Sequence, residues 1–401
     1  MPQAVLLGAA VAAVLLGHRA VRPAISVATA VAIGLATGLI GFDASIDALR
    51  PLRAPLGFLA AAVPLAVLLD RVGFFGAAAD WVTARRFAQG DRLPGALWVF
   101  GALVTTLFNL DAAIVLLTPL YVRIAVRRGL DPVRLGFQTV LLASLASSAL
   151  PVSNLTNLIV AEARDVGIAD FLLRLGPASL AATVVGWLMY RGTSAGHRTT
   201  PPGTAVVATG ERGAGQARAW RVGGPAVIVL LLGFTLGDVL GVPAWAVATA
   251  VAAGLAVATR SLPWRALPVD AVVVAGGLAV LAAAAVPHLG LDRWLAGTGA
   301  AAELRAFGTG VVGANAINNL PALLVGLPTV DGPTTWAYLL GVNVGPVLWI
   351  SGSLAGLLWA DVMARHAHPV TPGEYARVGV RVGLPALGVA GAVAVGLGRL
   401  F

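Results

Sequence analysis

The chain has 401 residues, of which 58% are hydrophobic and only 11% are charged, and its formal net charge is +9. Soluble domains carry about 25% charged residues, so this composition excludes an ordinary water-soluble protein and predicts an all-α polytopic membrane protein. All 27 basic residues are Arg and there is no Cys, which excludes a P-loop lysine, a lysine Schiff base, disulfides and thiolate metal sites.

The first apolar segment begins near the N-terminus and has no basic residue before it. Arg19 and Arg22 follow it. A cleavable signal peptide carries its positive charge before the apolar run, so we expect a retained first span with the N-terminus outside the cell. A cleaved signal peptide is the alternative interpretation.

Ten apolar segments predict ten transmembrane spans, five in each half of the chain. Two of them, one in each half, are interrupted by polar residues. The segments cover residues 3–17, 24–41, 54–69, 135–160 and 171–190, then 225–240, 242–259, 271–286, 334–360 and 378–398.

Two further apolar stretches fit a re-entrant hairpin better than a span. Residues 93–122 would form a helix of roughly 45 Å, too long for a hydrocarbon core of ~30 Å. Polar residues at Asn109 and Asp111 split this stretch, and Arg residues flank both of its ends. We therefore predict a hairpin that enters from the cytoplasm, since Arg marks the cytoplasmic side.

The second stretch, residues 306–330, is broken at Asn318 and Asn319, with Glu303, Arg305 and Asp331 at its flanks. It predicts an equivalent hairpin that enters from outside. Glu303, together with Asp43, Asp47 and Asp292, is expected to be a solvated loop charge.

The chain divides into two repeats in this interpretation. Residues 1–191 and 222–401 each hold five spans and one hairpin, and residues 192–221 form a flexible cytoplasmic linker. An odd number of crossings makes the repeats inverted relative to each other, as in secondary transporters. With this topology 20 of the 27 Arg residues fall in cytoplasmic loops, as the positive-inside rule requires. Both termini are predicted on the outer side of the inner membrane.

The repeats also share residue patterns. The segment that begins at Asn109 aligns with the one that begins at Asn319, and Ser153-Asn-Leu-Thr-Asn aligns with Gly352-Ser-Leu-Ala-Gly. A helix broken inside a membrane leaves backbone groups that need partners. The Asn side chains at the breaks can satisfy those groups or present amides to a polar solute. The alternative, which we favour for an isolated residue such as Ser144, is a role in helix packing alone.

Asp111 is the only carboxylate that this topology places in the membrane interior. A charge there costs about 2.5–3.5 kcal/mol on insertion scales, so an Asp at this depth suggests a function. We predict that Asp111 exchanges a proton during transport; a structural carboxylate that pairs with helix-end amides or with an Arg is the alternative.

Four motifs resemble those of the ArsB-type arsenite and antimonite efflux permeases of the ion-transporter superfamily. They are Asn109-Leu-Asp-Ala-Ala-Ile-Val-Leu-Leu-Thr-Pro, Leu150-Pro-Val-Ser-Asn-Leu-Thr-Asn-Leu-Ile, Asn318-Asn-Leu-Pro-Ala-Leu-Leu-Val-Gly and Asn343-Val-Gly-Pro-Val-Leu-Trp-Ile-Ser-Gly-Ser-Leu-Ala-Gly-Leu-Leu-Trp. The resemblance departs in the first motif, where Leu110 separates the Asn from the Asp and Ala112 replaces a Gly.

The resemblance implies an elevator-like transporter that exports a trivalent metalloid hydroxide in exchange for protons. Its substrate would lie between two hairpin tips and two broken helices. The implied substrate-binding residues are Asn109, Ser153, Asn154, Thr156, Asn157, Asn318, Asn319, Gly345, Ser351 and Ser353, with Asp111 as the proton-coupling residue.

Other functions stay open at this point. The alternatives are a sodium/proton antiporter that uses Asp111, a small-anion carrier, and a passive channel. An intramembrane enzyme is disfavoured because no HExxH or GxSxG motif and no His lies within a span; the one GxSxG match, residues 192–196, falls in the predicted linker. The expected partners are the bilayer, the metalloid hydroxide and protons. A homodimer and a separate ATPase subunit are left open, and no cofactor, metal or nucleic acid is expected.

Overall fold

The computed structural model describes residues 2–16, 23–86, 90–192 and 212–398. These residues form α-helices and short helical turns, and no β-strand occurs among them. The predicted all-α fold class is therefore confirmed.

The described residues contain 21 α-helices, which we number in chain order. They are α1 (Pro2–Leu16), α2 (Pro23–Ala36), α3 (Phe42–Leu49), α4 (Arg53–Arg71), α5 (Phe74–Thr83), α6 (Leu93–Phe108), α7 (Leu110–Arg128), α8 (Pro132–Leu145), α9 (Leu155–Arg164), α10 (Ile168–Arg174), α11 (Gly176–Arg191), α12 (Arg212–Arg218), α13 (Gly224–Leu240), α14 (Ala244–Thr259), α15 (Val269–Ala285), α16 (Leu291–Leu295), α17 (Ala300–Ile317), α18 (Asn319–Gly326), α19 (Pro333–Val344), α20 (Leu354–Arg365) and α21 (Pro372–Leu397).

Each predicted apolar segment lies on one or two of these helices. By length and composition, four continuous helical segments of the described chain can cross a membrane: Phe42–Arg71, Gly215–Phe234, Trp264–His288 and Pro372–Leu397. A fifth is added if α10 and α11, which meet at 50°, count as one bent span. Shorter apolar helices and helices broken at polar residues make up the remainder, so the count of ten spans stays a prediction.

The first hairpin consists of α6 and α7, which meet at Asn109. The Tyr121 hydroxyl on α7 donates a hydrogen bond to the Leu97 carbonyl on α6, so the two helices fold back on each other. With 16 residues, α6 is about 24 Å long, shorter than the ~30 Å hydrocarbon core. The second arm runs to Arg128, beyond the predicted end at residue 122, because the helix continues through Arg123.

The second hairpin consists of α17 and α18, which meet at Asn318. A Cβ atom at Gly313 would lie 3.2 Å from the Ala322 Cβ atom, so these helices also pack against each other. The prediction that Glu303 is a solvated loop charge was wrong. Helix α17 begins at Ala300 and includes Glu303, which is only 3% exposed and lies against Gly398 at the end of α21.

Each hairpin is followed by a helix that is broken in the same way. Helices α8 and α9 flank the first break, which contains a 3₁₀ turn at Pro151–Ser153. Helices α19 and α20 flank the second, with 3₁₀ turns at Gly345–Val347 and Ile350–Gly352. The order of hairpin, broken helix and final helix thus occurs twice in the chain.

The predicted linker, residues 192–221, falls mostly at 193–211, which lie outside the described residues. Its last part, residues 212–221, is helical. Helix α12 and a π-helical turn at Ala219–Gly223 lead directly into α13. The sequence suggested flexibility because Gly and Arg residues there interrupt the apolar pattern.

Small residues allow the helices around the second break to approach closely. A Cβ atom at Gly341 of α19 would lie 2.1 Å from the Phe307 carbonyl oxygen of α17, and one at Gly310 would lie 2.5 Å from the Tyr338 carbonyl oxygen. Backbone contact of this kind is typical of helices packed in membranes. It holds the second hairpin tightly against the broken helix that follows it.

Candidate functional site

Asn109 forms the tip of the first hairpin. Its φ of 145° ends α6, and its side-chain oxygen accepts a hydrogen bond of 2.9 Å from the Asp111 backbone N–H, which caps α7. A positive φ is rare for residues other than Gly and is found where the surrounding structure imposes it. The break in this hairpin is therefore imposed by the surrounding fold.

Asn318 has the same role in the second hairpin. Its φ is 78°, it ends α17, and its side-chain oxygen accepts from the Leu320 N–H at 3.4 Å. Asn109 therefore corresponds to Asn318, and the predicted alignment with Asn319 is wrong by one residue. The alignment followed the Asn-Leu dipeptide, whereas the capping amide sets the structural equivalence.

The two breaks also carry equivalent caps. Asn154 caps α9 by accepting from the Thr156 N–H at 3.2 Å, and Ser353 caps α20 by accepting from the Gly356 N–H at 3.1 Å. Both capping residues have extended backbones. Here the alignment made from the sequence agrees with the structure.

Asn343, in the last turn of α19, connects the two breaks. Its side-chain oxygen accepts from Thr156 Oγ1 at 2.6 Å and from Asn154 Nδ2 at 3.2 Å. Its Nδ2 donates to Asn157 Oδ1 at 2.6 Å. All four side chains are buried. We call Asn154, Thr156, Asn157 and Asn343 the amide cluster; it contains amide and hydroxyl groups and no charged group.

The amide cluster continues into the first break. Asn157 Nδ2 donates to the Ser147 and Leu150 carbonyl oxygens, both at 2.8 Å. These carbonyls have left the helical pattern at the end of α8 and need donors. Asn157 therefore stabilises the broken backbone of the first half. Through Asn343 it also stabilises the contact between α9 and α19.

Each hairpin tip is hydrogen bonded to the break of its own half. In the first half, Thr106 Oγ1 donates to the Ala146 carbonyl at 2.8 Å. In the second, Asn315 Nδ2 donates to the Gly345 carbonyl at 2.9 Å and Asn318 Nδ2 to the Ser351 carbonyl at 3.2 Å. One or two side-chain hydrogen bonds therefore connect each hairpin tip to its break.

Several buried polar atoms near these tips and breaks have no hydrogen-bond partner within the described residues. They are Asn109 Nδ2, Ser147 Oγ, Ser148 Oγ and Asn315 Oδ1. A buried polar atom without a partner costs about 1–3 kcal/mol, so such atoms are rare in a folded protein. Ser147 lies beside the amide cluster, because Asn157 donates to its carbonyl oxygen, and a polar solute there would supply the missing partner of its hydroxyl.

Apart from Asn109 at the first hairpin tip, the predicted substrate-binding residues fall into three groups. Asn154, Thr156 and Asn157 lie in the amide cluster, and Asn318, Gly345 and Ser351 meet where the second hairpin contacts its break. Ser153 bonds only to Leu150 within its own turn, and Asn319 accepts from the neighbouring Leu320 N–H. Ser153, Asn319 and the capping residue Ser353 thus form hydrogen bonds within their own segments, and these bonds explain their positions.

Asp111 lies in the first turn of α7, beside the hairpin tip. Its side chain is half-buried on the same face as the exposed Val115, and within the described residues it forms no ion pair or side-chain hydrogen bond. The positive end of the α7 dipole interacts favourably with a carboxylate at this position. The structure does not link Asp111 directly to the amide cluster.

No site role was predicted from the sequence for Asn343, Thr106, Ser147, Ser148 or Asn315, although Asn343 begins the fourth motif. A signal existed for two of them. Asn343 lies ten residues before the Ser353 cap in an otherwise apolar segment, and Asn315 precedes Asn318 by one helical turn. No group of three or more His, Cys, Asp or Glu that could hold a metal occurs in the part of the chain that the structure describes.

Comparison with known proteins identifies a matching family and several relatives of this chain. The family described as citrate transporters matches residues 3–352. The chain is 30% identical to an arsenical pump membrane protein of Escherichia coli over 356 residues, and to one of Yersinia enterocolitica over 367 residues, with 82% of each chain covered in both cases. A silicon efflux transporter, LSI3, of Oryza sativa subsp. japonica is 33% identical over 137 residues, 33% of this chain and 27% of that protein.

Proposed function

Because the chain belongs to the citrate transporter family and to the family of the arsenical pump membrane proteins, it is a membrane transporter, and we propose that it exports trivalent arsenic or antimony hydroxide in exchange for protons. The resemblance to the arsenical permeases that the four motifs indicated is confirmed. The relatives that match over most of the chain are arsenical pump membrane proteins, which supports an arsenical cargo.

The amide cluster is the observation that carries the choice of substrate. Arsenous acid is a neutral hydroxide near pH 7, and each of its hydroxyl groups both donates and accepts hydrogen bonds. Amides and hydroxyls offer both functions as well. Asn109 Nδ2 and the Ser147 and Ser148 hydroxyls, which lack partners within the described residues, would complete such a site.

A small-anion carrier is the second candidate, because the matching family is described as citrate transporters. A tricarboxylate is usually held by Arg or Lys side chains. The amide cluster contains neither, and the nearby hairpin tip carries a carboxylate, Asp111. These side chains favour a neutral solute over a polyanion.

The way the hairpins are held supports alternating access. Each tip contacts its own break through one or two side-chain hydrogen bonds, at Thr106 in the first half and at Asn315 and Asn318 in the second. Bonds of this kind contribute about 1 kcal/mol each, so breaking them costs little, and in the second half the close packing of α17 on α19 would have to rearrange as well. With inverted repeats, one tip would open to the cytoplasm and the other to the outside.

The coupling step is assigned to Asp111. Its carboxyl group lies at the tip of the hairpin that enters from the predicted cytoplasmic side. Protonation would remove its charge and change the cost of moving the tip into an apolar environment. A sodium/proton antiporter would use the same carboxylate as its ion site, so the coupling ion has to be measured.

Transport in inside-out vesicles from an arsenite-sensitive bacterium tests the proposal. Respiration acidifies the vesicle lumen, so arsenite should accumulate inside and its addition should raise the luminal pH. A protonophore should abolish both effects, and replacement of sodium by potassium should leave them unchanged. Accumulation of citrate instead of arsenite, or a strict sodium requirement, would contradict the proposal. A passive channel would show no counterflow of labelled arsenite.

A further inference from the structure

A large cavity opens at the N-terminal end of α6. Its volume is about 970 Å³, and it lies between the end of α5, the start of α6, the start of α8 and the end of α11. Arg92, Arg134 and Arg191 line it, together with Asp91. Three cations against one carboxylate give the cavity a net positive charge.

Two Trp side chains, Trp81 and Trp187, also line this cavity. Trp is enriched where the hydrocarbon core of a membrane meets its headgroup layer. Gly95 allows Trp187 to lie close to α6, because a Cβ atom there would be 3.0 Å from the Trp187 ring. The charged cavity therefore has the composition of the headgroup level.

An apolar groove continues from the charged cavity along α6. A second cavity of about 410 Å³ shares Gly95, Val99, Leu103 and Trp187 with the first and extends to Thr106. Val99 and Leu103 are 59% and 55% exposed. The groove thus has a cationic end and an apolar body.

The length of the groove matches one leaflet of a bilayer. From Gly95 to Thr106, α6 rises about 16 Å, and half of the hydrocarbon core is about 15 Å. We infer that this groove binds an anionic phospholipid, whose phosphate lies among Arg92, Arg134 and Arg191 and one of whose acyl chains lies along Val99 and Leu103.

The chemistry of both ends supports this occupant. Guanidinium groups bind phosphate oxygens through paired hydrogen bonds. A zwitterionic headgroup also carries an ammonium group, whose positive charge is repelled by the Arg residues and weakens binding. The apolar body favours an acyl chain and gives nothing to a free phosphate ion. The far end of the groove includes Thr106 and Ala146, whose hydrogen bond holds the first hairpin to its break, so the acyl chain would contact the proposed moving element.

Native mass spectrometry of the full-length protein with phosphatidylglycerol or phosphatidylcholine tests this inference. The wild-type protein should retain phosphatidylglycerol in preference. An Arg beside an anionic headgroup is worth about fivefold in affinity, so the double variant Arg92→Gln and Arg191→Gln should bind about 25-fold more weakly. The matched control, Arg260→Gln and Arg265→Gln, removes two exposed Arg residues that do not line the cavity and should retain wild-type affinity.

A second variant tests the apolar body of the groove. Val99→Trp fills it without changing charge and should also displace phosphatidylglycerol. Glycerol phosphate should not compete with the lipid at millimolar concentration. Equal retention of the two lipids, equal weakening in the Arg260 and Arg265 control, or full displacement by glycerol phosphate would overturn the inference. Each readout is independent of the transported substrate.

Discussion

Asn343 uses both ends of its amide to hold α9 against α19. Its oxygen accepts two hydrogen bonds and its nitrogen donates one, so the orientation of the amide is fixed by its neighbours. Ser144 occupies the corresponding place in the first half, ten residues before the Asn154 cap. The amide cluster is therefore asymmetric, and its polar groups come mainly from one break.

Replacement of Asn343 tests the amide cluster. Asn343→Ala leaves buried groups of Asn154, Thr156 and Asn157 without partners, which should lower the free energy of unfolding by about 3 kcal/mol. Loss of one hydrogen bond to substrate corresponds to about tenfold in affinity, so arsenite accumulation should fall at least that much. Vesicle uptake at several arsenite concentrations measures the effect.

Ser144→Ala provides the matched control, since Ser144 is the repeat counterpart and forms no side-chain hydrogen bond within the described residues. It should transport at the wild-type rate. Wild-type uptake by a folded Asn343→Ala protein would show that the amide cluster only stabilises the fold.

Replacement of Asp111 tests the coupling step. Asp111→Asn keeps the size of the side chain but cannot exchange a proton. Proton-driven accumulation of arsenite should be lost, while exchange of labelled for unlabelled arsenite across the membrane should continue. Both are measured in the same vesicles with a luminal pH probe.

Asp361→Asn is the control for the loss of one negative charge. Asp361 lies on α20, is exposed and pairs with Arg365, so its replacement should leave coupling unchanged. Undiminished pH-driven accumulation in the Asp111→Asn variant would refute the coupling role.

The residues of the site were only partly predictable. The caps Asn154 and Ser353 could be found because each stands at a break within one short motif. The role of Asn343 could not be found, because its partners Asn154 and Asn157 lie 189 and 186 residues away in the sequence. A single sequence shows which polar residues are in the membrane, but not which of them meet.

At the scale of elements, each hairpin is built around an Asn with positive φ whose side chain caps the second arm. Gly would adopt this backbone more easily but offers no capping oxygen. The polar residues therefore predicted where each hairpin turns. The ends of the arms were less predictable, because Arg123 and Glu303 read as loop residues while the helices continue through them.

The second arm of the second hairpin is fixed at its outer end by Arg164 of α9. The Arg164 guanidinium donates to the Leu327 carbonyl at 2.9 Å and to the Val330 carbonyl, and it pairs with Asp331 at 3.2 Å. Asp331 is 89% exposed, so the ion pair is screened by water. The carbonyl bonds are expected to stabilise the contact more than the ion pair does.

Two substitutions separate these contributions. Arg164→Gln removes two hydrogen bonds from a charged donor, each worth about 1.5–3 kcal/mol, and should lower the free energy of unfolding by about 3 kcal/mol. Asp331→Asn removes only the exposed ion pair, which is worth at most about 1 kcal/mol. Denaturant unfolding of the purified variants measures both. An equal effect of the two substitutions would mean that the ion pair holds the hairpin.

At the scale of the whole molecule, both halves use the same order of hairpin, broken helix and final helix. This order followed from the sequence, because apolar length and polar breaks are local properties. The orientation of the halves depends on Arg placement alone and is a proposal. The absence of Cys from the natural sequence makes single cysteines a direct way to test it.

The inverted arrangement predicts that the bases of the two hairpins lie on opposite sides of the membrane. Arg128→Cys, at the end of α7, and Asp292→Cys, on α16, both replace exposed residues. A membrane-impermeant maleimide should label Asp292→Cys in intact cells and Arg128→Cys only in inside-out vesicles. Because the wild-type chain has no thiol, it gives no background signal. Labelling of both positions from the same side would rule out inverted repeats and, with them, the proposal that the hairpin tips open alternately to the two sides.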